Sequence, residues 1–256
     1  MKIAFLHLSY CGNDQKKNEL KILKGMDIAS EYGAKWVLTP EMALQGYHMM
    51  REDKSFQLVS LNNGLLRPFM DKAKKNEQRL FLGCGFVHDR IPRNALVIVN
   101  PDGTFYNQHS KVKVVKWITE QWAHPGESFN VWELDGIRTS VMVCADLYFP
   151  EHGAIIAEQK AELIIGVACW PEGGHAGPPH VAWERMSAAA GNIPLLICNQ
   201  TGNLGMDLNS ARSAVVDNGK MLFHHNDKEA VLIIDYDEKN KKIACKDFQM
   251  IAFDSI

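Results

Sequence analysis

Three reactive side chains in this sequence, Glu41, Lys111 and Cys144, stand at or beside the ends of apolar, strand-like runs. In open α/β sheets ligands bind at the edge where strands end, so residues in such positions can meet at one site. A carboxylate can take a proton from a thiol, and a nearby cation can lower the pKa of a thiol and stabilise a developing oxyanion. Together the three side chains are chemically complete for nucleophilic catalysis by cysteine.

Each of these residues also has a structural interpretation when it is taken alone. Glu41 can cap a following helix, and Lys111 can be an exposed strand residue, as most lysines are. Cys144 follows the apolar residues 141–143, and a free cysteine in such a place usually packs as a small hydrophobe. It is the combination of a base, a cation and a thiol that favours the catalytic interpretation.

The composition is typical of one globular domain over residues 1–256. Hydrophobic residues make up 46% of the chain, charged residues 23%, and the net charge is -2, so no basic excess predicts binding to nucleic acid or to an anionic membrane. No apolar run reaches the roughly 18 residues that a membrane span needs. The six cysteines form no C-x-x-C pair, and no histidine cluster has metal-ligand spacing. We therefore expect no metal site, reduced thiols and a cytoplasmic location.

Hydrophobic periodicity predicts strand–helix units with inserted hairpins. The pattern favours helices over residues 13–32 and 60–76, and a strand over residues 104–115 that carries Lys111. The dipeptide Asp135-Gly136 predicts a tight hairpin between two short strands. A mixed sheet, or two packed sheets, with helices outside follows from how such elements bury their apolar faces.

Short motifs surround the reactive residues and continue into the second half of the chain: Leu38-Thr39-Pro40-Glu41 with Gly46-Tyr47, Arg93-Asn94-Ala95 with Pro101-Asp102-Gly103, His109-Ser110-Lys111-Val112-Lys113, Val143-Cys144-Ala145-Asp146 with Phe149-Pro150-Glu151, Trp170-Pro171, and Asn199-Gln200-Thr201-Gly202. In this order and spacing they resemble the nitrilase superfamily of carbon–nitrogen hydrolases, and the resemblance covers nearly the whole chain. The family fold is α/β, a four-layer α-β-β-α sandwich with two mixed β-sheets, usually assembled as a homodimer or higher homo-oligomer.

The resemblance implies a catalytic triad of Glu41, Lys111 and Cys144, with the backbone N–H of Ala145 as an oxyanion donor. It implies hydrolysis of a non-peptide C–N bond in a small amide or N-carbamoyl compound, through a thioester on the cysteine. Such a reaction releases an acid and ammonia or an amine, and needs no cofactor.

Two neighbours of the triad lysine are assigned by the same resemblance. Glu120 precedes Pro125-Gly126, as a second catalytic glutamate does in many amidases of the family, although the gap is one residue longer here. Lys113 occupies the place where a histidine often stands, which makes Lys111 the better match to the catalytic position.

Residues beside the nucleophile bear on the substrate. True nitrilases usually carry Trp-Glu after the cysteine, whereas this chain has Ala145-Asp146, which favours amides over nitriles. Tyr148 stands where several amidases carry an arginine, and this argues against a dicarboxylic amide. Aromatic and histidine residues near the motifs are candidates for lining the pocket: Tyr47, Tyr148 and Trp170 first, then Trp117, Trp122 and His175.

Three alternatives stay open at this stage. The chain can be a nitrilase, or a member of the superfamily that passes the acyl group to an acceptor other than water. It can also be an inactive relative that serves as a binding or scaffold subunit, because residues 188–192 lack the arginine and glutamate usual in the family.

Overall fold

A computed structural model describes residues 1–47, 56–116, 120–173, 177–202 and 208–254. The first sheet consists of β1 (Lys2–His7), β2 (Ala34–Leu38), β3 (Arg79–His88), β4 (Ile91–Val99), β5 (Phe105–Ser110), β12 (Ala230–Asp237), β13 (Lys242–Ile243) and β14 (Gln249–Ala252). The second consists of β6 (Val131–Leu134), β7 (Ile137–Val143), β8 (Leu163–Ala168), β9 (Leu195–Asn199), β10 (Ser213–Asp217) and β11 (Lys220–His225). The helices are α1 (Gln15–Glu31), α2 (Arg67–Asn76), α3 (Pro150–Glu158) and α4 (Pro179–Ala189).

Both sheets are mixed, and each has a parallel centre. In the first sheet the order is β13-β12-β1-β2-β3-β4-β5, with β1, β2 and β3 parallel and β14 beside β12. In the second the order is β11-β10-β9-β8-β7-β6, with β7, β8 and β9 parallel. Because β2, β7 and β8 are buried parallel strands, their carboxyl ends are natural places for a site.

Alternation along the strands divides the core into layers. In β1, Ile3 and Phe5 join the core between the two sheets, while Ala4 and Leu6 join the core beneath α1 and α2. Helix α4 packs on β10 and β11 of the other sheet and α3 packs on α4, with Trp183 and Met186 in the core. The predicted α-β-β-α sandwich with two mixed sheets is therefore confirmed.

Local sequence explains several element boundaries. The β6–β7 hairpin turns at Asp135 and Gly136 with φ values of 50° and 78°, which confirms the predicted tight turn. The helix predicted over residues 60–76 begins only at Arg67, because the Asn63 side chain accepts from Ser60 N and Leu65 N and holds a turn there instead.

Three other differences concern strands. The strand predicted over residues 104–115 ends at Ser110, so Lys111 lies just beyond it rather than within it. The sequence pattern also missed β11, β13 and β14. In β11 the apolar residues 221–223 are consecutive and hide the alternation, and β13 and β14, with 2 and 4 residues, are too short to show a period of two.

Candidate active site

Glu41 follows β2 and is completely buried. Its Oε1 accepts hydrogen bonds from Lys111 Nζ and Asn94 Nδ2, each at 2.7 Å, and its Oε2 accepts from the backbone N–H of Cys169 at 3.0 Å. The chain segment before it passes so close to β3 that a Cβ on Gly83 would lie 2.0 Å from Pro40 O. Glycine at that position is therefore a condition for placing the carboxylate.

Lys111 is a buried cation held between two carboxylates. Its Nζ donates to Glu41 Oε1 and to Glu120 Oε1, each at 2.7 Å, and its backbone N–H donates to Asn94 O at 2.8 Å. Burial alone would lower the pKa of Lys111, but the negative fields of Glu120 and Glu41 outweigh it and raise the pKa well above the ordinary value. The lysine is therefore a permanent positive charge in the site.

The sequence-predicted second glutamate lies in the same cluster. Glu120 Oε2 accepts from Val115 N at 2.6 Å while Oε1 accepts from the lysine. The Pro125-Gly126 step holds the segment in place, since Gly126 N donates to Lys111 O at 2.7 Å and a Cβ on Gly126 would lie 2.1 Å from Ser110 O.

The two carboxylates differ in pKa although they share two donors. Burial raises the pKa of Glu41 to about 7, with Lys111 opposing and Glu120 adding to the rise. Burial also acts to raise the pKa of Glu120, but the charge and hydrogen bond of Lys111 and the Val115 N–H outweigh it and lower that pKa. A group that titrates near neutrality is suited to accept and return a proton.

Cys144 directly follows β7 and begins a 3₁₀ turn (Cys144–Tyr148) with a φ of 48°. Its side chain is 8% exposed. Burial and the fields of Glu41 and Glu120 raise the pKa of the thiol well above its ordinary value, whereas Lys111 and the Cys169 N–H lower it. The lysine acts in the expected direction but does not prevail, so the resting thiol is neutral and needs a base to become a nucleophile.

Ala145 and Asp146 follow within the 3₁₀ turn and have different environments. The N–H groups at the start of such a turn, that of Ala145 among them, have no partners within the turn. The Asp146 carboxylate is completely buried. Oδ1 accepts from Val112 N at 3.0 Å and Lys113 N at 2.8 Å, and Oδ2 accepts from His109 Nε2 at 3.0 Å and Val143 N at 3.1 Å. Asp146 thus fastens the segment after Lys111 to the end of β7.

The predicted pocket aromatics fall into two groups. Tyr47 is 8% exposed and packs with Met42 and Cys169, where the field of Glu41 adds to the effect of burial in raising its pKa. Tyr148 is 41% exposed, and its ring centroid lies 6.3 Å from that of the buried Trp170.

The remaining aromatic candidates are less well defined by the structure. Trp122 is partly buried against the cluster that contains Met42 and Tyr47. Trp117 and His175 lie outside the described residues.

Three residues of the site had no assigned role in the sequence. Asn94 belongs to a motif of the resemblance, but nothing in the sequence indicated that it contacts both glutamates. The backbone N–H of Cys169 holds Glu41, and the position of this residue directly after β8 is the signal that the sequence offered for it. Gln200 Nε2 donates to Glu41 O at 3.3 Å.

Two features are absent from the described residues. No group of three or more His, Cys, Asp or Glu side chains there is arranged to hold a metal ion. Likewise, none of the helices described is both long and apolar enough to cross a membrane.

Comparisons with known proteins define the class. The profile of the carbon-nitrogen hydrolase family matches residues 2–239. A nitrilase of Pyrococcus abyssi is 26% identical over 64% of this chain and 63% of its own length. A citrullinase of Francisella tularensis is 25% identical over 78% of this chain and 74% of its own length. An amidase from Nesterenkonia sp. superposes with a TM-score of 0.81 at 22% identity, covering 93% of this chain and 90% of the amidase.

The chain therefore belongs to the carbon–nitrogen hydrolase family, which confirms the resemblance to the nitrilase superfamily and its amidase-like members. The match spans slightly less than two thirds of the Pyrococcus nitrilase.

Proposed function

We propose that this protein hydrolyses the C–N bond of a small amide or N-carbamoyl compound through a thioester on Cys144. The observation that carries the proposal is the buried contact of Lys111 Nζ with the carboxylates of Glu41 and Glu120, beside a thiol whose pKa responds to all three groups. A permanent cation, a base that titrates near pH 7 and a neutral thiol are the parts that acyl transfer to cysteine requires.

The first step forms the carbon–sulfur bond. Glu41 accepts the thiol proton as sulfur attacks the carbonyl carbon, and the carbonyl π electrons move to oxygen. The Lys111 ammonium and the Ala145 N–H stabilise the resulting oxyanion. One donor of this kind typically contributes about 3 kcal/mol to the transition state.

The second step breaks the C–N bond. The third step hydrolyses the thioester and regenerates the thiol. Glu41 returns its proton to the leaving nitrogen, which departs as ammonia or an amine and leaves a thioester on Cys144. Water then gives a proton to Glu41 and attacks the thioester, the acid leaves, and the thiolate takes the proton back. The sum for a primary amide is amide plus water giving acid plus ammonia, with Glu120 holding the lysine and orienting substrate or water.

The substrate side of the proposal rests on Tyr47, Tyr148 and Trp170. Tyr148 lies in the 3₁₀ turn that begins at Cys144, and its ring centroid is 6.3 Å from that of Trp170. Tyr47 is near enough to Cys144 for the thiol to act on its pKa, and Tyr148 offers no positive charge for a second carboxylate. We favour a small, weakly polar amide over a nitrile, in line with the amidase from Nesterenkonia sp. as a structural relative.

Further proposals concern the whole molecule. We take residues 1–256 to be a single catalytic domain, and the active form to be a homodimer or higher homo-oligomer, as the family resemblance implies. The six cysteines are free thiols, and this supports a reducing, cytoplasmic location.

The test measures ammonia release from a panel of primary amides, ω-amides and N-carbamoyl compounds, with mass spectrometry to detect an acyl group on Cys144. Cys144→Ala should abolish both signals while the protein stays folded. Cys84→Ala is the matched control, because the Cys84 side chain is buried between the first sheet and its helices, on the face of β3 opposite to that which approaches Pro40 and Glu41. Undiminished turnover by Cys144→Ala would refute the proposal.

A further inference from the structure

The side-chain amide of Asn94 joins the two glutamates of the site. A single nitrogen, Nδ2, donates to Glu41 Oε1 at 2.7 Å and to Glu120 Oε1 at 2.6 Å. These are the same two oxygens that receive Lys111 Nζ. An amide nitrogen carries two hydrogens, so each carboxylate receives one.

The orientation of this amide follows from its neighbours. Two carboxylate oxygens at these distances require a donor, and only the nitrogen end of the amide can supply it. The other end, Asn94 Oδ1, is buried and has no hydrogen-bond partner among the described residues. The hydrogen bonds that hold the Asn94 side chain are therefore those that Nδ2 donates to the two carboxylates.

The backbone of the same residue adds a third connection. Asn94 O accepts from Lys111 N at 2.8 Å, directly beyond the pairing of Ala95 with Ser110. Strand β4 is paired on both sides, with β3 and β5, so it provides a rigid base. One residue thus contacts the proposed base, the second glutamate and the cation.

We infer that Asn94 is a positioning residue that favours the ionised form of both glutamates beside a single lysine. The expected effect of Asn94 on catalysis rests on the proposed function. Its effect on the pKa of the two glutamates does not. Two like charges on one cation repel each other, and a neutral donor shared between them offsets that repulsion without adding a third charge. A positive residue in the same place would cancel the negative charge that remains on the two carboxylates and Lys111. An apolar residue would leave Glu41 Oε1 and Glu120 Oε1 with Lys111 Nζ as their one donor among the described residues.

The charged and titratable groups around Glu41 are few. Lys111, Glu120, Cys144 and Cys169 reach it from the neighbouring loops and strand ends, and Tyr47 from its own loop. Of these, Lys111 is the only positive charge among the described groups that act on the pKa of Glu41. Hydrogen bonds from Asn94 lower the pKa of both glutamates, so their loss must raise both.

The experiment compares Asn94→Leu and Asn94→Ser with wild type, using the pH dependence of kcat/KM. Leucine keeps the approximate size and removes the donor, whereas serine keeps one donor. We expect the acid limb of the profile to move up by about one pH unit in Asn94→Leu, as loss of a hydrogen bond to a charged group implies, and by less in Asn94→Ser. Val97→Ala is the matched control, because it weakens the buried core of the same strand without touching a carboxylate.

A purely structural role predicts a different result. Activity would then fall by the same factor at every pH in Asn94→Leu, as in Val97→Ala, with the acid limb unmoved, and that outcome would overturn the inference.

A second measurement needs neither turnover nor a variant. In wild-type protein labelled with ¹⁵N on asparagine, the Asn94 side-chain resonances should titrate with a midpoint near 7, the pKa of Glu41. An amide that does not respond between pH 5 and 9 would contradict the inference. If no amide is hydrolysed but this titration is seen, the proposed function fails and the role of Asn94 stands.

Discussion

The carboxylate of Asp146 gives the most demanding prediction, because all its partners are identified. Asp146→Asn must place an amide NH₂ against one of two pairs of donors. On the Oδ1 side it would oppose the backbone N–H groups of Val112 and Lys113. On the Oδ2 side it would oppose only Val143 N, because His109 can change tautomer and accept. The second orientation costs less.

The magnitude follows from that orientation. One buried N–H left without an acceptor costs about 1–3 kcal/mol, and the remaining bonds lose the strengthening that an ionised acceptor gives, for roughly 1 kcal/mol more. We expect Asp146→Asn to lower the free energy of unfolding by about 2–4 kcal/mol at pH 7. We also expect kcat to fall more than KM rises, because the segment directly after Lys111 loses its anchor.

The sign of the pH dependence is fixed by the same contacts. Burial acts to raise the pKa of Asp146, but the hydrogen bond and charge of His109 and the Lys113 N–H outweigh it and hold the pKa below 3.8. Stabilisation by this group is therefore full above about pH 4 and is lost as the pH falls through the folded-state pKa. The difference between wild type and Asp146→Asn should shrink at acidic pH.

Urea denaturation from pH 3 to 8 measures this effect. Asp102→Asn is the control, since exposed Asp102 accepts from Thr104 N and Oγ1, and asparagine can do the same. Its cost should stay below about 0.5 kcal/mol. If Asp146→Asn is equally mild, the carboxylate does not hold the two segments together and the reasoning is wrong.

Other predictions concern the proposed base, the cation and a glycine contact. Because Glu41 must be ionised to accept a proton and its pKa is about 7, kcat/KM should fall tenfold per pH unit below that value; a profile flat down to pH 5 would exclude Glu41 as the base. Lys111→Ala should reduce kcat/KM by roughly 100-fold or more, whereas Lys113→Ala, whose Nζ lies 4.5 Å from the Phe149 ring centroid, should cost less than about tenfold; the reverse order would identify Lys113 as the catalytic lysine. Gly83→Ala should destabilise the protein by about 3 kcal/mol in thermal or urea unfolding, because its Cβ would meet backbone; unchanged stability would show that the loop can move away.

Much of the fold could be predicted from local sequence. The buried strands are short apolar runs, the long first helix has helical spacing, and Asp135-Gly136 has the backbone freedom that a tight hairpin needs. These properties act over a few residues, so periodicity and turn chemistry report them directly. At residues 60–66 the helical pattern competes with a turn, and the predicted start of the helix is wrong. In β13 and β14 the signal is weak, and neither strand is predicted.

For the site, the sequence by itself determined which residues can do chemistry. Glu41, Lys111 and Cys144 are recognisable because each lies at or beside the end of a strand-like run. Glu120 is recognisable only through the family resemblance, which places a second glutamate before Pro125-Gly126. Their reactive types and their order in the chain indicate a cysteine hydrolase before any contact is known.

Only the tertiary structure decided how these groups affect one another. Asn94 is 53 residues from Glu41, and Asp146 is 37 from His109, so no local pattern reports either contact. The same holds for the net rise in the pKa of Cys144. A nearby lysine predicts a fall, but burial and two carboxylates act against it, and burial is a property of the packed sheets rather than of any one segment.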